Sequence, residues 1–403
     1  MERRGVPCGE NNYEFLKKES GIIKKKIVLV SLLIGLMIVL FIAFLNDHTK
    51  NGYESNPFFY KQWYLENNGN NSAINDSKDY RDYLSIEPGV DISAVEMWDL
   101  LSDEKSDDPI IVAIIDTAID YTHEDLEGSV WVNTKEIAGD GIDNDGNGFV
   151  DDIHGYNFCE DSGDLLSVRA TLLENAHGTM CAGIIAANNN EKGIIGVANN
   201  INIQLMSLKV LDSEDVLNSG NTEDLIRAIK YADENGAKIC NISMSTDQYS
   251  QELKEVMQNS SMLFVVSAGN GLGRGVDISQ TPVYPAAFGL SNTIVVANLS
   301  YTGNINKESN YSSQYVDVAA PGTCIYSTCP KNQYEYGTGT SMSAAIVSGV
   351  AAVIYSLKGG VSEEEVKEII LSTVNVKDSL KNRVASSGFL NVANAVKMTL
   401  AMK

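Results

Sequence analysis

The sequence predicts an α/β domain built on a central, largely parallel β-sheet, and three observations lead there. Five short and nearly continuous apolar runs, at residues 110–115, 203–210, 238–242, 262–266 and 293–297, read as strands buried on both faces. Helical patterns separate them. In NTEDLIRAIKYADEN, residues 221–235, Leu225, Ile226, Ile229 and Ala232 share one broad face, and Gly236 can end the helix. Two further segments, HGTMCAGIIAA from His177 and SMSAAIVSGVAAVIYSLK from Ser341, are apolar and rich in Ala and Gly, as helices packed closely on a sheet would be. Strands alternating with helices give a parallel sheet. Functional residues of such folds gather at the carboxyl ends of the strands.

Composition sets the outer bounds. The chain has 403 residues, 44% of them hydrophobic, enough for a large packed core. Its net charge is −23; residues 1–26 carry seven Lys/Arg against four Asp/Glu, which leaves −26 for the rest. So acidic a surface argues against nucleic acid as a partner.

The run IVLVSLLIGLMIVLFIAFL, residues 27–45, holds nineteen residues and no charge. As a helix rising about 1.5 Å per residue it matches the hydrocarbon thickness of a bilayer. Lys17, Lys18, Lys24, Lys25 and Lys26 precede it, so the positive-inside bias places the N-terminus in the cytoplasm and the following chain outside the cell. The expected organisation is a cytoplasmic basic segment at 1–26, a transmembrane signal-anchor at 27–45, a short polar stalk at 46–56 and one folded domain over 57–403. A cleaved signal would normally have a shorter apolar run and a small-residue cleavage site, and LND offers none. A buried core helix is the other alternative, though such a helix is rarely apolar on every side.

Six cysteines, at 8, 159, 181, 240, 324 and 329, form no compact metal-ligand pattern. Cys324 and Cys329, in CIYSTC, either close a small loop or stand as separate thiols. Cys181 and Cys240 lie in apolar segments and read as small core residues.

Three residues stand out for chemistry. Asp116 ends the run PIIVAIID, His177 opens one apolar helix, and Ser341 opens the other between Gly339-Thr340 and Met342-Ser343. A hydroxyl, an imidazole to take its proton and a carboxylate to fix the imidazole are the parts of a serine-nucleophile site. Separated by 61 and 164 positions in the chain, they can be assembled only by the fold.

The blocks IVAIIDTAIDYTHEDLEG, NAHGTMCAG and GTGTSMSAAIVSGVAAV, in that order, resemble the subtilisin-like serine peptidase family. GVDISAVEMWDL, GIIGVANNINIQLMSLKVL, VVSAGN, TPVYPAAF and GFLNVANAV extend the likeness over about residues 57–396. The resemblance implies a three-layer fold of that family, with helices flanking a mostly parallel sheet. It implies a serine endopeptidase with Asp116, His177 and Ser341 as its triad and Asn270 as a side-chain oxyanion donor. A peptide or protein substrate would add as an extended strand between residues 241–245, including Ser243, Met244 and Ser245, and residues Ser267, Ala268 and Gly269. No cofactor is implied for the chemistry. A long N-terminal chaperone segment, common in secreted members, has no room in the eleven residues of 46–56.

Several positions depart from the family pattern. Ala118 replaces the usual glycine after Asp-Thr, Ala176 the glycine before the histidine, Ser245 the glycine of a Ser-Leu-Gly run, and Ala345 and Ile346 a common Pro-His pair. Alanine restricts backbone that glycine leaves free, and Ser245 narrows or polarises the primary pocket. A catalytically silent, membrane-tethered peptide-binding protein of the same fold is the alternative from another class. A cysteine hydrolase built on Cys181 is a third reading, and it lacks a separate base.

Calcium is the one metal the sequence suggests. Asp125 matches a family position that ligates a structural calcium. In DNDGNGFVDD, Asp143, Asp145, Asn147 and Asp151 space oxygen donors like the start of a calcium loop, with His154 where the final bidentate glutamate would stand. The same run also reads as an acidic, solvent-facing loop.

Overall fold

The computed structural model describes residues 52–80, 85–102, 108–166, 176–211 and 221–403, with Gly35 and Met37 alone before them. Apart from those two positions, the basic segment 1–26, the apolar run 27–45 and the stalk as far as residue 51 lie outside the described residues. So does Cys8.

Nine strands form one sheet. In chain order they are β1 (Ile110–Asp116), β2 (Gly155–Asn157), β3 (Ile203–Lys209), β4 (Ile239–Ile242), β5 (Leu263–Ser267), β6 (Thr293–Leu299), β7 (Val318–Pro321), β10 (Asn375–Val376) and β11 (Gly388–Phe389). The omitted labels, β8 (Ile325–Cys329) and β9 (Gln333–Gly337), belong to a separate antiparallel hairpin. The sheet order is β10-β11-β7-β6-β5-β4-β1-β3-β2, and every pairing except β10 with β11 is parallel. All five apolar runs are strands at the expected places. Every residue of β4, β5 and β6 is buried, which is why these runs do not alternate.

Seven helices are described: α1 (Ala94–Leu100), α2 (Ala176–Ala186), α3 (Thr222–Glu234), α4 (Gln251–Asn259), α5 (Thr340–Leu357), α6 (Glu363–Ser372) and α7 (Val392–Ala401). In α3, Leu225, Ile226, Ile229 and Ala232 are all buried. Asn221 caps its start by accepting from the Glu223 amide at 3.0 Å, and Gly236 follows with φ +79°. Helix α5 crosses β4 to β7 and packs on α2 and α7, while α3 packs on α4 and β1. Among the described residues only α5 is long and apolar enough to cross a membrane, and it is 89% buried inside the domain. It is a core helix.

From Gly52 to Lys403 the chain forms one compact unit. Tyr53 and Asn56, expected in the stalk, are buried within it. Cys324 and Cys329 are separate thiols. They lie just before and at the end of β8, and five residues of strand at about 3.3 Å each hold their backbones far beyond disulfide range.

Phe264 is fully buried on the central strand β5. Phe264→Ala is expected to cost about 3–5 kcal/mol, read as a lower urea midpoint with an unchanged m-value, measured in a Ser341→Ala background.

Candidate active site

Strand β1 is flanked by β3 on one side and β4 on the other, so the chain winds outward from it in both directions. Ligands and catalytic groups of parallel sheets collect at such a switch, beyond the strand carboxyl ends. Asp116 is the last residue of β1 and fully buried. A buried carboxylate needs donors. Oδ1 accepts the Thr117 amide at 2.7 Å, and both oxygens lie 2.8 Å from His177 Nδ1. An ionised carboxylate only accepts, so His177 Nδ1 carries the proton and donates, leaving Nε2 as the basic nitrogen.

His177 is the second residue of α2, with 24% of its side chain exposed. Its position is set by contacts beneath it: the Gly178 amide donates to Thr117 Oγ1 at 3.1 Å, and a Cβ at Gly178 would stand 2.3 Å from the Ala118 carbonyl oxygen. Glycine is required there for close approach. Burial pulls the His177 pKa down, but the Asp116 charge and hydrogen bond together hold it above the ordinary histidine value.

Ser341 lies in the first turn of α5, behind the cap residue Gly339. First-turn amides have no acceptor within their own helix. The Thr340 amide and hydroxyl donate to Asn270 Oδ1 at 3.1 and 3.3 Å. Asn270, two residues beyond Ala268, is thereby locked with its carbonyl toward the helix and its Nδ2 without an acceptor among the described residues. Ser341 Oγ donates to the Ser243 carbonyl at 3.5 Å, a long and weak bond, and makes none to His177. Cys181 Sγ lies 4.0 Å from Asp116 Oδ2. Burial first, and the Asp116 charge second, push the Cys181 thiol well above its usual pKa. It is a protonated core thiol, which removes the cysteine-hydrolase reading.

The two segments expected to hold a peptide diverge from the ends of adjacent strands, β4 and β5. Met244 and Ser245 have no backbone hydrogen-bond partner among the described residues, while Ala268 is fixed on both sides: its amide donates to Val296 and its carbonyl accepts from Asn310 Nδ2 at 3.0 Å. Gly269 has φ +85°, and a Cβ there would stand 2.8 Å from Asn310 Nδ2 and 3.4 Å from Ser245 Oγ. Ser267 ends β5 and is buried. The Ser245 hydroxyl therefore leans across the crevice toward Gly269, so the departure from glycine narrows it and adds a polar group.

The Subtilase family model matches residues 107–390, a stretch that contains Asp116, His177, Asn270 and Ser341. The chain belongs to the subtilase family. It is 34% identical over 342 residues to subtilisin-like protease 1 of Plasmodium falciparum (isolate 3D7), covering 80% of this chain and 48% of that one. With a thermophilic serine proteinase of Bacillus sp. (strain AK1) it shares 32% identity over 303 residues, 74% of this chain and 64% of that one. The subtilase thus spans about half the length of its Plasmodium relative. A solved protease structure from Pseudoalteromonas arctica PAMC 21717 superposes with a TM-score of 0.60 at 23% identity, over 86% of this chain and 99% of that one, a likeness of fold.

The subtilase's expected cation positions fall in two places. Asp125 is buried; Oδ2 accepts the Ile194 amide at 2.9 Å and the Tyr334 hydroxyl at 3.0 Å, while Oδ1 has no partner. Burial is the main cause that raises its pKa. Asn56 presents a second buried oxygen, Oδ1, without a partner, and its Nδ2 donates to Asn189 Oδ1 at 2.6 Å. Both side chains contact the loop 188–194 through their other polar atom, and the loop also binds the chain through Asn188 to the Asp125 carbonyl and Gly193 to the Phe58 amide. Two orphaned acceptors on side chains tied to the same loop fit a hard cation. Asn56 is absent from the sequence expectation; the run Asn188-Asn189-Asn190 was its one visible signal.

The acidic loop is different. Asp143 accepts from the amides of Gly146, Asn147 and Gly148, and Asp145 groups with it and with Glu136. Asn147 Oδ1 takes the Phe149 amide, and Asp151 turns to the amides of Gly139 and Gly141, outside that group. These acids hold their own loop, and Glu136, Asp143 and Asp145 also bring carboxylate oxygens within 4.8 Å of one another.

Ala118 has φ +110°, a region that glycine tolerates and alanine does not. Such strain is of order 1–3 kcal/mol, against roughly 0.4–1 kcal/mol of added freedom in the unfolded chain. Ala118→Gly should therefore stabilise the domain by about 1 kcal/mol, seen as a higher thermal midpoint in calorimetry.

Proposed function

We propose that this subtilase is a serine endopeptidase that cleaves extracellular or surface peptides through Asp116, His177 and Ser341. The observation that carries the reading is the buried Asp116 holding His177 Nδ1, with Ser341 in the first turn of α5, where Asn270 holds the neighbouring Thr340. Rotation about one side-chain bond separates the Ser341 hydroxyl from its weak contact with Ser243. The oxygen then attacks the scissile carbonyl carbon as His177 Nε2 takes its proton. The new oxyanion is met by Asn270 Nδ2 and the Ser341 amide, donors already fixed by the fold and aided by the helix dipole. Collapse of the tetrahedral intermediate breaks the carbon–nitrogen bond, and His177 returns the proton to the leaving amine. Water then repeats the sequence on the acyl-enzyme.

Ser341→Ala is expected to abolish both peptide cleavage and fluorophosphonate labelling. Asn270→Ala should lower kcat by about 10²–10³, the cost known for this donor in subtilisin itself, while labelling persists at a reduced rate. Because the neutral imidazole is the base, kcat/KM should rise with pH through a midpoint above the ordinary histidine value. Equal labelling of wild type and Ser341→Ala would overturn Ser341 as the nucleophile, and a wild type that does not label would replace this reading with the silent, peptide-binding one.

We also infer that residues 27–45 anchor the protein in the cell membrane with the N-terminus cytoplasmic, the nineteen uncharged residues being the support. A structural calcium would be held by Asp125 and Asn56 with the loop 188–194, and it supplies charge balance for a buried carboxylate. The internally satisfied acids Asp143 and Asp145 are the poorer fit. Calcium at 100 times its Kd should stabilise the Ser341→Ala protein by about 2.7 kcal/mol. Scanning calorimetry with and without chelator checks this, and Asp125→Asn should erase the difference.

A further inference from the structure

Beyond Asn270 the chain forms an exposed loop, 271–275, tied along the segment 307–311. The Gly271 amide donates to the Glu308 carbonyl and the Gly275 amide to the Lys307 carbonyl, both at 2.8 Å. Between them lies a cleft of about 410 Å³. Arg274, Lys307 and Arg383 line it, together with Tyr311, and no carboxylate does. In a chain of net charge −23 this is a local reversal of sign. The Arg383 guanidinium stacks 4.2 Å from the Tyr311 ring centroid, which presents its flat fork to the cleft's surroundings at low entropic cost. Arg274 and Arg383 have no ion-pair partner among the described residues. Two acids stand nearby: Glu308 Oε1 is 3.3 Å from Lys307 Nζ, and Asp277, which accepts the Ser279 amide at 2.9 Å, is felt by Arg383. Three cations against two acids leave the cleft positive. Leu272, in the same loop, is fully solvent-exposed. An exposed leucine beside unpaired arginines is a surface suited to a polypeptide bearing an acidic side chain.

We propose that this cleft is a specificity subsite that takes an aspartate or glutamate of the substrate, placed a few residues from the bond cleaved. The assignment rests on the peptidase reading above. Its reach follows from the chain: Arg274 is four residues beyond Asn270, and the bridge between Asn270 and Ser309 joins the cleft's wall to the oxyanion position. The likeness of charge between enzyme and substrate elsewhere makes the site selective, because an acidic peptide is repelled by the remaining surface unless its carboxylate reaches these cations. Guanidinium pairing with a carboxylate is directional and stronger than a neutral hydrogen bond.

The test is a set of matched peptides, each scanned with Glu or Gln at every position within four residues of the cleaved bond. They are assayed with the full chain as wild type, as Arg274→Gln and as Arg383→Gln. At one position the wild type should prefer Glu over Gln by about tenfold in kcat/KM, and the ratio should shrink as salt is raised. Each variant should bring the ratio below about threefold. Arg274→Gln, in an exposed loop, keeps the test valid if Arg383→Gln misfolds. A ratio near one in wild type at every position, or a preference that both variants retain, overturns the subsite. Failure of Ser341 to label with a fluorophosphonate would overturn the peptidase reading, which is a separate result.

Discussion

A carboxylate sealed from water at the end of the first central strand sets the terms for the rest of the site. A buried carboxylate needs donors, and the fold supplies Asp116 with them from two directions, the Thr117 amide and the His177 ring. The pairing fixes the imidazole tautomer and its plane. It also draws α2 down onto the loop after β1, where the bare Gly178 lies against the Ala118 backbone. Alanine at 118 then holds a backbone angle better suited to glycine, strain located beside the group it helps to position.

The second half of the site follows from helix ends. Helix α5 is buried almost throughout, so its starting turn is carried to the sheet's edge as a rigid body. Asn270 satisfies the Thr340 amide with its carbonyl, and the price of that satisfaction is an amide nitrogen left facing outward. In the proposed reaction this arrangement would offer donors to negative charge before any charge exists, which is how preorganised sites avoid reorganisation.

Much of this could be read from residues alone. The five apolar runs and helix α3 were legible because strands buried on both faces and an amphipathic helix leave distinct periodicities. Asp116, His177 and Ser341 were legible through their surrounding blocks, since their spacing of 61 and 164 residues carries no geometric information. The short strands β2, β10 and β11 and the hairpin β8–β9 were not, because two to five residues of mixed polarity give no period to detect. Asn56 was missed for a related reason. Its buried oxygen acquires meaning only when the loop 188–194 folds over it, a contact spanning 133 positions. Ser245 was visible as a departure from glycine, but its lean toward Gly269 required the two strand ends to be placed side by side. In the run 143–151 the spacing showed the oxygens but not their uses: several accept the loop's own amides, and Glu136, outside the run, joins Asp143 and Asp145.

Tyr334 joins the Asp125 carboxylate, and it lies on β9, the strand whose continuation through Gly337 delivers Ser341 seven positions later. The same hairpin is laced to α2, with Ser327 and Thr328 donating to the carbonyls of Met180 and Thr179, each at 2.7 Å. Ser341 and His177, the proposed nucleophile and base, are thus joined to one ribbon whose Tyr334 also holds Asp125, a residue with an orphaned oxygen. Loosening there would slacken both reacting groups together, so that loss of catalysis and the first step of thermal melting would share a common origin.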